Sequence, residues 1–121
     1  MSTKLYTKDH EWIVVKDDVA IVGITQYAQE QLGELVFVEL PNVGEEYASG
    51  EPVVVVESVK AASDVYSPVS GKIVKINDKL QDEPNLVNNS PEEDGWLWKM
   101  EITDPEEIND LLDAEAYQEI L

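Results

Sequence analysis

The chain has 121 residues, 43% of them apolar and spread from end to end, which is material for a single domain, 1–121, with one modest core. Twenty-six acidic residues face eight lysines and no arginine, and the net charge of -18 repels phosphate backbones and anionic membranes, so neither nucleic acid nor a membrane is an expected partner. Cysteine is absent, which removes disulfides, thiolate metal sites and a cysteine nucleophile together, and any redox chemistry must be borrowed from a cofactor.

In chain order, the opening Met1-Ser2-Thr3-Lys4-Leu5 has no apolar signal core. No later stretch approaches the roughly 18 to 20 apolar residues of a membrane helix. A bacterial cytoplasm is the expected compartment, ahead of the mitochondrial matrix. Short β-branched runs at 12–16 and 19–24, separated by Asp17-Asp18, predict the first two strands. A two-turn helix near 26–32 follows, with Thr25 as N-cap, Tyr27, Gln31 and Leu32 near one face, and Gly33 as the stop. Further strands are expected at 35–40, 53–56, 65–66, 72–76 and 96–102, with turn formers such as Pro41-Asn42, Ser49-Gly50, Ser67-Pro68, Ser70-Gly71 and Asn77-Asp78 between them. Alternation over 72–76 is imperfect, since Ile73 shares a face with Lys75 and Val74 with Ile76. The Asn88-Asn89-Ser90 sequon, followed by Pro91, reads as chance in an asparagine-rich loop. A C-terminal helix near 105–119 is signposted by Asp104 as N-cap, Pro105 at its first position and an apolar stripe of Ile108, Leu111 and Leu112. The sum is a mainly β protein, a flattened antiparallel sandwich or barrel.

The chemistry lies between the strands at 53–56 and 65–66, where Glu57-Ser58-Val59-Lys60-Ala61 makes a small-residue turn holding one lysine. Such a lysine is open to a modifying enzyme, and acylation would remove its charge and lengthen its stem into a tether. A lone exposed lysine ordinarily only solubilises its turn. His10, the sole histidine, makes a poor metal site without cysteine or a spaced carboxylate pair and is read as structural or hydrogen-bonding. Trp96 and Trp98, two apart, are read as packing on one strand face. The acid runs at 92–94 and 106–107 are read as solvated.

The turn strongly resembles the lipoylation site of glycine cleavage H proteins, and further similarity runs the length of the chain. It includes Tyr6, His10-Glu11-Trp12, Gly23-Ile24-Thr25, Ala28-Gln29, Leu32-Gly33, Val36-Phe37-Val38, Leu40-Pro41, Ser67-Pro68-Val69-Ser70-Gly71, Asn85-Leu86-Val87-Asn88 and Asp94-Gly95-Trp96. The lipoyl domains of 2-oxoacid dehydrogenases carry Asp-Lys-Ala where Val59-Lys60-Ala61 stands, and biotin carriers flank their lysine with methionines. An unmodified acidic adaptor that keeps only the fold is the third rival.

The resemblance implies the lipoyl/biotinyl-carrier (barrel-sandwich hybrid) fold and lipoate joined by an amide to Lys60, with Glu57, Ser58, Val59 and Ala61 forming the recognition turn. It implies a carrier and not an enzyme. The aminomethyl group of glycine passes from a pyridoxal-phosphate glycine decarboxylase to a tetrahydrofolate-dependent aminomethyltransferase, and electrons then pass to an FAD-containing dihydrolipoamide dehydrogenase. A lipoate ligase or lipoyl/octanoyl transferase would install the group on a monomer. By position in the matching motifs, Glu11 and Asp64, with Asp9 as a third, are the carboxylates expected to dock the loaded arm. Relay of lipoyl groups to other enzymes is a variant of the same role.

Overall fold

The computed structural model describes residues 3–121; Met1 and Ser2, part of the stretch read above for a leader, lie outside the described residues. Strands β1 (Thr3–Tyr6), β2 (Glu11–Lys16) and β3 (Val19–Ile24) form an antiparallel meander. Helix α1 (Gln26–Leu32) leads to β4 (Leu35–Glu39), and β5 (Glu46–Tyr47), β6 (Pro52–Ser58), β7 (Ala62–Tyr66) and β8 (Gly71–Ile76) follow. Two four-residue helices, α2 (Lys79–Asp82) and α3 (Leu86–Asn89), precede β9 (Trp98–Ile102), and the chain ends in a 3-10 helix at Pro105–Asp110 and α4 (Ala114–Glu119). The sheets have the orders β1-β2-β3-β9-β8-β5 and β4-β6-β7, and every strand pair is antiparallel. Ile13, Val22, Ile73, Trp98 and Met100 of the larger sheet meet Leu35, Val38, Val54, Val56 and Val65 of the smaller in one apolar core. This is the expected sandwich, with β1, β5 and the two short helices added.

Three local departures have physical causes. The uneven alternation over 72–76 is a β-bulge: Ile73 pairs with Met100 and Lys75 with Lys99, so Val74 is the extra residue and turns outward, 41% exposed. The strand expected at 96–102 starts only at Trp98, which is buried, whereas Trp96 stands before it under Lys99, whose Nζ lies 5.1 Å from the indole centroid. The helix expected near 105–119 is two helices. Leu111 is extended, Leu112 exchanges backbone hydrogen bonds of 2.7 and 2.8 Å with Tyr6 of edge strand β1, and Asp113 caps a new helix by accepting from Ala116 N at 2.8 Å. Pairing with the β1 edge wins over continuing a stripe of leucines.

The meander also fixes the segment His10-Glu11-Trp12. Trp12 is opposite Gly23, and a Cβ at Gly23 would sit 2.7 Å from the indole, so only glycine lets the ring lie across β3. The indole Nε1 donates to Pro91 O at 2.9 Å. His10, just before β2, takes φ 69°, a left-handed conformation uncommon outside glycine, and so turns the chain into the strand.

Candidate functional site

Strands β6 and β7 pair from Pro52–Tyr66 up to Glu57–Ala62, and the turn that joins them carries Lys60. Ser58 ties this turn: its Oγ accepts from the backbone N–H groups of Lys60 and Ala61, both at 3.2 Å, and donates to Ala61 O at 3.1 Å. The backbone N–H of Ser58 also donates to Ala61 O at 2.8 Å. A serine there supplies what an alanine could not, an acceptor for N–H groups that no strand partner reaches. Val59 and Lys60 are exposed at the tip, with Val59 N donating to Glu34 O at 3.3 Å. The lysine stem lies over Gly33, where an added Cβ would sit 3.6 Å from its Cε. Gly33 itself ends α1 at φ 83°.

Beside this tip α1, β2, β6 and β7 enclose a cleft of about 170 Å³. Ile24, Ala28, Leu32, Val56 and Val65 give it apolar walls, and Asp9, Glu11 and Asp64 bring carboxylates to it. The structure thus places together the three acids that the sequence had separated by up to 55 positions. Their surroundings differ. Asp9 and Asp64 are exposed, whereas Glu11 is buried, 3% exposed. Both oxygens of Glu11 are bonded, one accepting from Thr7 Oγ1 at 3.1 Å and the other from Tyr66 N at 2.7 Å, so this side chain clasps β2 to the end of β7. Burial pushes its carboxyl up to about 7, with Asp9 nearby adding to the rise, and the two donated hydrogen bonds only partly oppose it.

The expectation of a hydrogen-bonding His10 is met through partners the sequence did not suggest. Its Nδ1 lies 2.8 Å from the hydroxyl of Tyr117 on α4, and that hydroxyl lies 2.7 Å from Thr25 Oγ1. Thr25 also caps α1 as expected, accepting from Ala28 N at 3.3 Å. Two further residues went unread. Asn88, in the sequon Asn88-Asn89-Ser90, donates from Nδ2 to Gly33 O at 2.7 Å and Gln29 Oε1 at 3.0 Å and accepts from Leu35 N at 2.8 Å, bracing the loop under the lysine stem. Thr7 organises the turn before Glu11 by accepting from its backbone N–H at 3.2 Å. Their only sequence signal was membership of the matching motifs or closeness to them.

An exposed primary amine on a tied hairpin tip stands next to a cleft with apolar walls and acidic groups. The paired sheets and the lysine-tipped hairpin define a carrier domain of the lipoyl/biotinyl class. Comparison with known proteins narrows the class. The family model described as glycine cleavage H-protein matches residues 4–121. The chain is 60% identical over 98% of its length to a glycine cleavage system H protein of Thermotoga maritima, of which 96% is covered. It is 53% identical over 99% of its length to that of Methylacidiphilum infernorum, covering 94%. The crystal structure of a glycine cleavage system H protein from Mycobacterium marinum superposes with a TM-score of 0.89 at 41% identity, covering 98% of this chain and 97% of that one. The chain belongs to the glycine cleavage H-protein family, whose members carry lipoate covalently on a lysine and act as a carrier subunit, not an enzyme. It is the lipoyl carrier of the glycine cleavage system.

Proposed function

We propose that Lys60 is the lysine that receives the lipoyl group, that Glu57, Ser58, Val59 and Ala61 present it to the modifying enzyme, and that the cleft at Asp9, Glu11 and Asp64 docks the loaded end of the arm. The observation that carries this reading is the hairpin turn itself, in which Ser58 holds the backbone while the Lys60 side chain stays exposed. The chain then works as one carrier domain, a cytoplasmic monomer visiting the pyridoxal-phosphate glycine decarboxylase, the tetrahydrofolate-dependent aminomethyltransferase and the FAD-containing dihydrolipoamide dehydrogenase. A lipoate ligase or lipoyl/octanoyl transferase acts on it first. When bound, lipoate supplies a disulfide that takes up the aminomethyl group on one sulfur and, once emptied to a dithiol, returns electrons through the dehydrogenase to NAD. A surface carrying -18 net charges suits brief, salt-sensitive encounters with positively charged faces of these enzymes.

With the three enzymes, glycine and tetrahydrofolate, the lipoylated chain supports glycine-dependent NADH formation, and Lys60→Arg, which keeps the charge but offers no acylated amine, abolishes it. NADH formation by the Lys60→Arg chain at the rate of the unaltered one would refute the assignment. Docking has a separate readout. A cationic amine held by charge-assisted bonds gains enough that loss of one partner shortens the life of the loaded carrier about tenfold, the size expected of a hydrogen bond to a charged group. Glu11→Gln and Asp64→Asn are each expected to do this when release of formaldehyde from the isolated loaded carrier is followed. Unchanged lifetimes in both variants would remove the docking role.

A further inference from the structure

The C-terminal helix meets the border of the cleft through Tyr117, which touches His10. Tyr117 on α4 is buried, its ring stacks on Tyr6 of β1 with centroids 4.6 Å apart, and its hydroxyl sits between His10 Nδ1 and Thr25 Oγ1 at 2.8 and 2.7 Å. His10 borders the cleft with Asp9 and Glu11, and its ring also packs against Tyr27 at 4.5 Å. Its carbonyl accepts from Thr25 N at 3.0 Å. We propose that Tyr117 is a positioning residue for the docking cleft, fixing the imidazole of His10, and with it the wall of the cleft formed by residues 9–11, against the N-terminus of α1.

The physical ground is the cost of holding His10 where it is. At φ 69° its backbone lies outside the usual regions, and such a conformation persists only where surrounding contacts over-determine it. Tyr117 adds to that determination from an element 107 residues away in sequence, beside the backbone bonds of His10 to Thr7 and Thr25, and its hydroxyl holds the imidazole at Nδ1. The ring of Tyr117 holds α4 down by stacking and burial, so the hydroxyl is free to serve the cleft. The segment that pairs with β1 through Leu112 thereby delivers a group to the site.

This inference rests on the docking reading above, and the test separates the two. Lipoylated Tyr117→Phe, His10→Asn and the double variant are compared with Glu11→Gln and Asp64→Asn. Phenylalanine keeps the stack and removes only the hydroxyl, and asparagine tolerates the left-handed backbone. Loaded-carrier lifetime is followed below every melting transition, and 15N shifts of the imidazole report the protonated nitrogen. The expected result is a lifetime shortened about fivefold in Tyr117→Phe, the size expected when the hydrogen bond to His10 is lost along with that to Thr25, with altered imidazole shifts and a double variant no shorter-lived than His10→Asn. Lipoylation by the ligase stays at the unaltered rate. Unchanged lifetime in Tyr117→Phe while Glu11→Gln and Asp64→Asn shorten it overturns this role and leaves docking standing. Additive losses in the double variant also overturn it, since Tyr117 would not then act through His10. Unchanged lifetimes in all the variants overturn both.

Discussion

Glu11→Gln is expected to stabilise the folded chain by about 3 kcal/mol above pH 8 and to leave it unchanged at pH 4. In the folded chain burial raises the Glu11 carboxyl from 4.5 to about 7. Because the folded state holds this proton more tightly than the unfolded one, the stability it confers is complete below pH 4.5 and is lost as pH rises through 7. Above that, the chain keeps a charge in a buried position at a cost the unfolded state does not bear. Glutamine has the same shape. Its amide oxygen can accept from Tyr66 N, and its NH2 can donate to Thr7 Oγ1, so the clasp between β2 and β7 survives without the charge. Urea titrations of both chains from pH 4 to 9 give the difference directly, free of the other 25 acidic residues that both share. A constant difference across that range would contradict the raised carboxyl. Paired with the shorter loaded lifetime expected of the same variant, a more stable but poorer carrier is the signature of a group kept for function at the expense of stability.

Trp98→Ala is expected to cost about 3–5 kcal/mol and Trp96→Ala about 1 kcal/mol or less. Trp98 is fully buried between the sheets, beside Val22, its partner on β3, and Ile76, its partner on β8, and its Nε1 donates to Met100 Sδ at 3.3 Å. Truncating it opens a cavity that two strands cannot close. Trp96 stands outside the sheet and keeps contact with Lys99 and water on one side. Thermal melts separate the two cases, because a loss of that size lowers the midpoint by roughly 10 °C or more in a chain of this length. Equal effects would place both indoles on one strand face, as their spacing alone suggests.

Much of the fold was legible because local signals agreed with tertiary packing. Thr25, the two turns of helix after it and Gly33 give α1 its observed bounds, and the valine-containing strands on either side of Lys60 do pair as β6 and β7. What stayed hidden was set by partners remote in sequence. Nothing near Leu111 announces that the β1 edge will pull Leu112 out of a helical stripe, and nothing near Val74 announces a bulge. The site divides along the same line. The hairpin turn that carries Lys60 was readable from the strands that flank it. The burial of Glu11 was not, because in a chain with 26 acids each one reads as solvated until Thr7 and Tyr66 are seen to hold it. Asn88 and Tyr117 act across 53 and 107 residues, distances at which composition and periodicity are silent.

Attachment at Lys60 is tested most directly by expressing the chain with a lipoate ligase and lipoate, measuring intact mass and mapping the modified peptide, with Lys60→Ala alongside. The account predicts a single lipoyl increment, confined to the peptide containing Lys60 and absent from the variant. An unmodified chain, an increment on another lysine, or biotin in place of lipoate would contradict it.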